Sequence, residues 1–285
     1  EFTEAGGLPA SNIAKWNGSV WQAIGSGFNT FARAGTVHNG ELFAGGFFTL
    51  SGSTTLNRLA KWNGSGWVNA GDGFNGQVYS LYSDTSFLYA GGSFTQSGTI
   101  SVNRIAKWNG TEWINIGDGF NNQVYSLHSD GSFLYAGGSF TLSGSIQLNR
   151  IAKWNGITWS ALGSGMDGIV ASLYSFNNLL YAGGNFTNAG GIAASKIAYW
   201  NGSAWSSSGL GFNAQVLTFA VSDDRFYCGG EFNTYGGDLL RFAAVADTGT
   251  RMWTHMNGGM NNSVLTTVVF DGSLIAGGSF TFAGF

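Results

Sequence analysis

The sequence predicts an all-β chain of six repeated four-stranded units, and three observations carry that prediction. Trp16, Trp62, Trp108, Trp154 and Trp200 recur every 46 residues inside variants of Ile-Ala-Lys-Trp-Asn-Gly. A second tryptophan follows at Trp21, Trp67, Trp113, Trp159 and Trp205, then at Trp253, two residues late. Six Gly-Gly pairs, from Gly45-Gly46 to Gly277-Gly278, keep the same step and the same lag. A period in the forties, with strand-like runs and glycine turns in each unit, is the signature of a propeller or solenoid.

The unit beginning at Gln123 shows why each element is expected. Val124 to Ser129 alternates apolar and smaller polar residues, as a half-buried strand does. Asp130-Gly131 supplies a hairpin turn. Phe133 to Ala136 is the second strand, and Gly137-Gly138 removes side chains where a neighbouring backbone or ring must come close. Asn149 to Trp154 is read as the third strand, with Ile151 and Lys153 on one face and Arg150, Ala152 and Trp154 on the other. Asn155-Gly156 turns it into the fourth, Thr158 to Leu162, and Gly163 to Gly165 leads to the next unit. Four antiparallel strands in about 46 residues match a propeller blade. A β-helix has shorter rungs, and helical repeats need an apolar stripe that no segment shows.

The expected architecture is a single six-bladed β-propeller over residues 1–285, with blades at about 31–70, 77–116, 123–162, 169–208, 215–256, and 263–285 with 1–25. Glu1 to Gly7 and Ser279 to Phe285 stand in the same phase of the repeat. The first two strands, near Asn12 to Trp16 and Val20 to Ile24, lack inner partners; the last two lack outer ones. Joining them is expected to close a two-plus-two blade with no free edge.

Composition narrows function. Charged residues are 9% of the chain and the net charge is −3, so a basic nucleic-acid face is not expected. No run approaches the about 20 apolar residues of a membrane span. Cys228 is the only cysteine and stands in the alanine place of Tyr-Ala-Gly-Gly, where burial as a small apolar residue is expected. His38, His128 and His255 occupy unrelated places in the repeat, and the 15 acidic residues are scattered. No catalytic set, metal site or cofactor is expected.

Candidate binding residues are few. Arg58, Arg104, Arg150, Lys196 and Arg241 are read as one cationic column on the third strand, with Lys15, Lys61, Lys107 and Lys153 as a second. A ring of cations could grip an anionic glycan or carboxylate, although stems packed over aromatics are the plainer reading. Asp72, Asp118 and Asp167 lie in glycine-rich loops after the fourth strand, suited to a sugar hydroxyl or calcium, or to turn amides. Asn17, Asn63, Asn109 and Asn201 begin Asn-Gly-Ser/Thr hairpin turns.

The order Leu134 to Gly138, Trp154, then Trp159 resembles the kelch repeat. Blade five, with Asp247-Thr-Gly249 before Trp253, shares that likeness. The phrases Gly183-Gly-Asn-Phe-Thr187 and Ala198-Tyr-Trp-Asn-Gly202 are similar to repeats of bacterial secreted surface proteins and of the fungal cortical cell-polarity marker. The resemblance spans all six units and implies a fold rather than a function. Galactose oxidase is the enzyme of this neighbourhood, and its copper site of two tyrosines, two histidines and a cross-linked cysteine has no counterpart here.

The connections between second and third strands, Thr49 to Leu56, Thr95 to Val102, Thr141 to Leu148, Thr187 to Ala194 and Asn233 to Leu239, are the longest and vary most. Loops on a rigid scaffold suit recognition. The expectation is a non-enzymatic extracellular or cell-surface propeller that binds a protein or glycan partner, in adhesion or assembly. The alternatives are a lectin, then a glycoside hydrolase or oxidase.

Overall fold

The computed structural model describes residues 1–222, 225–247, 251–256 and 258–284. The described residues form no helix, and strands follow one another through the whole chain. The chain divides into two compact units, Glu1–Leu127 and His128–Phe285.

Five antiparallel four-stranded sheets carry the repeat, each with its strands in simple sequence order. In the first unit, Ala32–His38, Glu41–Gly46, Leu59–Trp62 and Trp67–Val68 form one sheet; Val78–Ser83, Leu88–Gly92, Ile105–Trp108 and Trp113–Asn115 form the next. The third sheet takes Val124–Ser129, the strand in which the chain passes from one unit to the other, followed by Leu134–Gly138, Ile151–Trp154 and Trp159–Ala161. The fourth is Ile169–Phe176, Leu179–Asn185, Ile197–Trp200 and Trp205–Ser207. The fifth is Val216–Ser222, Arg225–Gly230, Ala243–Ala246 and Trp253–His255. Repeated antiparallel sheets of this kind make a propeller-like array.

The Gly-Gly pair explains how sheets approach. A Cβ on Gly45 or Gly91 would stand 2.5 or 2.6 Å from Cγ1 of Val78 or Val124 in the following sheet. Gly183 and Gly229 stand in the same relation to Val216 and Val264. The second glycine answers to its own sheet: a Cβ on Gly92 would meet the Gln77 carbonyl at 2.0 Å, beside the bulge between Val78 and Ser80. Bulges of this kind raise the local twist of the strand pair.

The two tryptophan columns differ. Trp67, Trp113, Trp159, Trp205 and Trp253 are fully buried. The indole N–H of Trp67 donates to the Ile24 carbonyl at 3.1 Å, that of Trp113 to Ala70 at 3.1 Å and that of Trp205 to Leu162 at 2.8 Å, stapling each outer strand to the preceding repeat. The first column is less enclosed: Trp200 is buried, Trp62, Trp108 and Trp154 are half-buried, and Trp16 is 43% exposed. These rings lean on the second column at 5.3–5.5 Å between centroids. Trp62 and Trp108 also cover glycine turns, coming within 2.9 Å of where a Cβ on Gly25 or Gly71 would lie.

The first and last hairpins of the repeat are each two-stranded sheets. Ala14–Trp16 pairs only with Trp21–Ala23, and Val264–Phe270 pairs only with Ser273–Gly278. Trp21, 40% exposed, lacks the enclosure of its counterparts, and Val268 and Phe270 are nearly 60% exposed. Each hairpin is specified locally by its own alternation and turn.

Candidate functional site

The cationic column is built for the fold. Arg58, Arg104 and Arg150 lie in the left-handed region (φ 61, 69 and 71°), so they precede the third strand rather than stand on it, correcting the expected placement. Each amide bonds the carbonyl of the buried phenylalanine ten residues earlier, which holds the backbone there. Each guanidinium then donates to a loop carbonyl: Arg58 to Phe74 at 3.2 Å, Arg104 to Phe120 at 3.1 Å, Arg150 to Met166 at 3.0 Å. Lys196, with φ 70°, instead donates to Asn185 Oδ1 at 2.8 Å. Arg241 does not belong to the column. Its carbonyl accepts from Met260, as Asn103 accepts from Phe120 and Asn149 from Met166, so Phe242 takes the arginine place.

The lysine column also works structurally. Lys61 bridges Glu41 at 2.8 Å, and Lys107 and Lys153 stand over the rings of Phe87 and Phe133 at 4.3 and 4.9 Å. Nothing in either column converges on one empty position.

The three aspartates separate. Asp72 and Asp118 carry exposed side chains in equivalent turns, and their backbone carbonyls accept from the Asn57 and Asn103 amides. Asp167 belongs to a different column, with Asn29, Asn75, Asn213 and Asn261. Its Oδ1 accepts the Thr187 and Asn188 amides at 2.8 and 2.9 Å, while Oδ2 accepts the Thr187 hydroxyl and Asn188 side-chain amide. Burial alone raises its pKa, but these hydrogen bonds outweigh burial and hold the carboxyl well below the usual range. The asparagines bind their hairpins identically, Asn75 taking Thr95 and Gln96, and Asn213 taking Asn233 and Thr234.

That column changes the reading of the long connections. They are ordered two-stranded hairpins, Leu50–Ser51 with Thr54–Thr55, Gln96–Ser97 with Ile100–Ser101, and their counterparts. Those after Asn29, Asn75, Asp167 and Asn213 are pinned at the base by that side chain, and the hairpins are closed by bonds such as Leu56 N to Thr49 O at 2.7 Å. They present apolar side chains to solvent: Leu50 in the first unit, and Leu142, Ile146, Ile192 and Leu239 in the second, each 36–56% exposed. The 46-residue spacing of Asn29, Asn75, Asp167 and Asn213 was the signal that could have revealed this anchoring.

The histidines pack or lie on the surface. His38 is buried, with Nδ1 2.9 Å from the Ser83 hydroxyl. His128 accepts the Ser175 amide at Nε2, 2.9 Å away, and burial lowers its pKa to about 4 against a smaller opposing pull from Asp130. His255 is exposed on an outer strand. Cys228 is fully buried, and burial raises its thiol pKa. The Asn-Gly turns place glycine first among the central residues, with φ near 100° at Gly18, Gly110 and Gly202, as a type II′ turn requires. Asn17, Asn63, Asn109 and Asn201 accept the two amides that follow. The turn expected at Asp247-Thr-Gly249 lies largely outside the described residues. Among the described residues, no three His, Cys, Asp or Glu side chains gather as metal ligands, and no helix is long and apolar enough to cross a membrane.

The fold and these hairpins define a repeat protein of propeller-like antiparallel sheets. No family model and no curated protein matches the chain. Solved structures of the extracellular domain of BT4673 from B. thetaiotaomicron are similar to it; one describes BT4673 as a one-component system, the other as a hybrid two-component system. The first has a TM-score of 0.65 at 13% identity over 93% of this chain and 34% of that one. The second has a TM-score of 0.60 at 13% identity over 86% and 30%. The chain therefore spans about a third of those solved chains, and at this identity the likeness is one of fold alone.

Proposed function

We propose that this is a non-enzymatic, extracellular or cell-surface propeller of the kelch-like kind, serving as a binding, adhesion or assembly scaffold through its hairpin face. One observation carries the reading: hairpins pinned by side-chain hydrogen bonds at their bases hold exposed leucine and isoleucine side chains, so recognition residues are pre-ordered and little entropy is lost on contact. The likeness to an extracellular domain supports the location. The test uses beads coated with the protein and with a Leu142→Ser/Ile192→Ser/Leu239→Ser variant, applied to cells of the source organism. Adhesion is expected for the first and a loss of about tenfold for the second. Equal adhesion by both would remove the hairpin face from the function.

We also propose that the two hairpins join as a sixth blade. In the second, third and fourth sheets the pairing is the same: Leu88↔Trp108, Leu134↔Trp154 and Leu180↔Trp200. The equivalent register sets Leu274 against Trp16 and Ala276 against Ala14. An Ala14→Cys/Ala276→Cys variant is expected to form an intrachain disulfide in mild oxidant. Only intermolecular crosslinks, or none, would refute closure.

A further inference from the structure

We propose that the second unit carries a saccharide-binding groove between its third and fourth sheets, on the side of the short hairpin turns and away from the pinned hairpins. The groove has a volume of about 460 Å³, within the range of small-molecule sites. Asp130 and Tyr135 line one wall; Ser175, Asn177, Asn178 and Trp200 line the other.

The groove arises where the repeat departs from itself. In the second and third sheets the first hairpin ends in four-residue loops, and Phe87 or Phe133 packs beneath Lys107 or Lys153. In the fourth sheet pairing runs on to Phe176↔Leu179, and a two-residue turn follows with both Asn177 and Asn178 left-handed (φ 49 and 59°). Leu179 and Tyr199 replace the phenylalanine–lysine pair. The tighter turn presents two exposed carboxamides at the rim, and the wall beside it is not filled by a lysine stem.

The polar groups select the ligand class. Asp130 accepts the Tyr135 hydroxyl at 2.7 Å and the Ser132 and Phe133 amides at 2.8 and 2.9 Å. Burial raises its pKa, but these bonds outweigh burial, so the carboxylate stays ionised and repels anions. The Ser175 hydroxyl is buried without a hydrogen-bond partner, which is costly unless a ligand supplies one. A carboxylate that accepts, amides that donate and accept, an orphan hydroxyl, and apolar surface from Phe176 and Trp200 together match the alternating hydroxyl and C–H faces of a neutral sugar.

The experiment is saturation-transfer NMR and tryptophan fluorescence on the full chain with methyl α-glucoside, methyl β-galactoside, methyl α-mannoside and N-acetylglucosamine, with glucuronate and ethanolamine as charged probes. Saturable millimolar binding of at least one neutral sugar is expected. Asp130→Asn, which retains a turn acceptor, and Ser175→Ala, whose melting curve verifies folding, are each expected to weaken it by about fivefold or more. Leu142→Ser and Leu239→Ser on the hairpin face are expected to leave it unchanged, so the two proposals fail separately. No saturable sugar binding, binding indifferent to both groove variants, or a response to ethanolamine alone would overturn the groove.

Discussion

Replacing Gly91 by alanine tests whether the Gly-Gly pair exists to admit the next sheet. The added Cβ would lie 2.6 Å from Val124 Cγ1, 3.2 Å from Val124 Cβ and 3.4 Å from Leu127 Cδ1. Carbon atoms rest at about 3.5–4.0 Å, so the two sheets must part by about 1 Å at a fully buried contact. Overpacking of this kind costs about 1–3 kcal/mol. Alanine also restricts the unfolded chain, which returns about 0.4–1 kcal/mol. The net expectation is a loss of about 1–2 kcal/mol, read as a lower urea midpoint at unchanged slope. Val124→Ala alone leaves a void and is expected to cost about 2 kcal/mol. If the methyl and the valine compete for one space, the double variant loses at least about 1 kcal/mol less than the sum of the singles. A neutral or stabilising Gly91→Ala, or additivity within about 0.5 kcal/mol, would refute the argument.

Three further outcomes are expected. Arg104→Ala loses the bond to the Phe120 carbonyl and keeps a left-handed backbone, so it should cost about 2 kcal/mol; Arg104→Gly, freed of that strain, should recover about 0.5–1 kcal/mol, and the reverse order by thermal melting would refute the capping role. Asp167→Ala should cost about 2 kcal/mol and raise hydrogen exchange at Thr187 and Asn188, whereas Asp167→Asn, matching Asn75 and Asn213, should stay within about 1 kcal/mol. His128 titrates at about 4 when folded against 6.5 when unfolded, so the unfolded chain binds the extra proton between those values. Its contribution of about 3 kcal/mol is therefore complete above pH 6.5 and lost as pH falls towards 4. NMR of the His128 ring should show a neutral imidazole at pH 5.5; a protonated ring there would sink the assignment.

The repeat was legible because each of its marks is local. Trp113 and Asn109-Gly110 stand at fixed steps from Gly91-Gly92, and the hairpin they flank has an alternation and turn chemistry that can be read along the chain, although the Trp113 indole also reaches back to Ala70. The third strand starts after Arg150, not before it, and nothing in the side-chain pattern marks this, because a left-handed residue bonded to Phe140 looks like any other along the chain. Arg241 was misplaced by one residue, although the step of 46 assigns it to the Asn103 and Asn149 column. The long connections looked like free loops, since an Asn or Asp 20 residues upstream of Thr49 or Thr187 gives no sign of its reach until the chain is folded.

By itself, the sequence determined the period, the strand order within each repeat and the places of the turns, because these depend on contacts within one repeat. Tertiary structure alone decided what lies across from each unit. It set Val124 against Gly91, gave the arginines carbonyls to cap, left Trp16 and Trp21 exposed on a two-stranded sheet, and opened a groove beside the tight turn at Asn177 and Asn178. The physical reason is one of range. Propensity and alternation act over a few residues, while packing between sheets joins residues more than 30 apart, as at Gly91 and Val124, and depends on shapes that no single repeat contains.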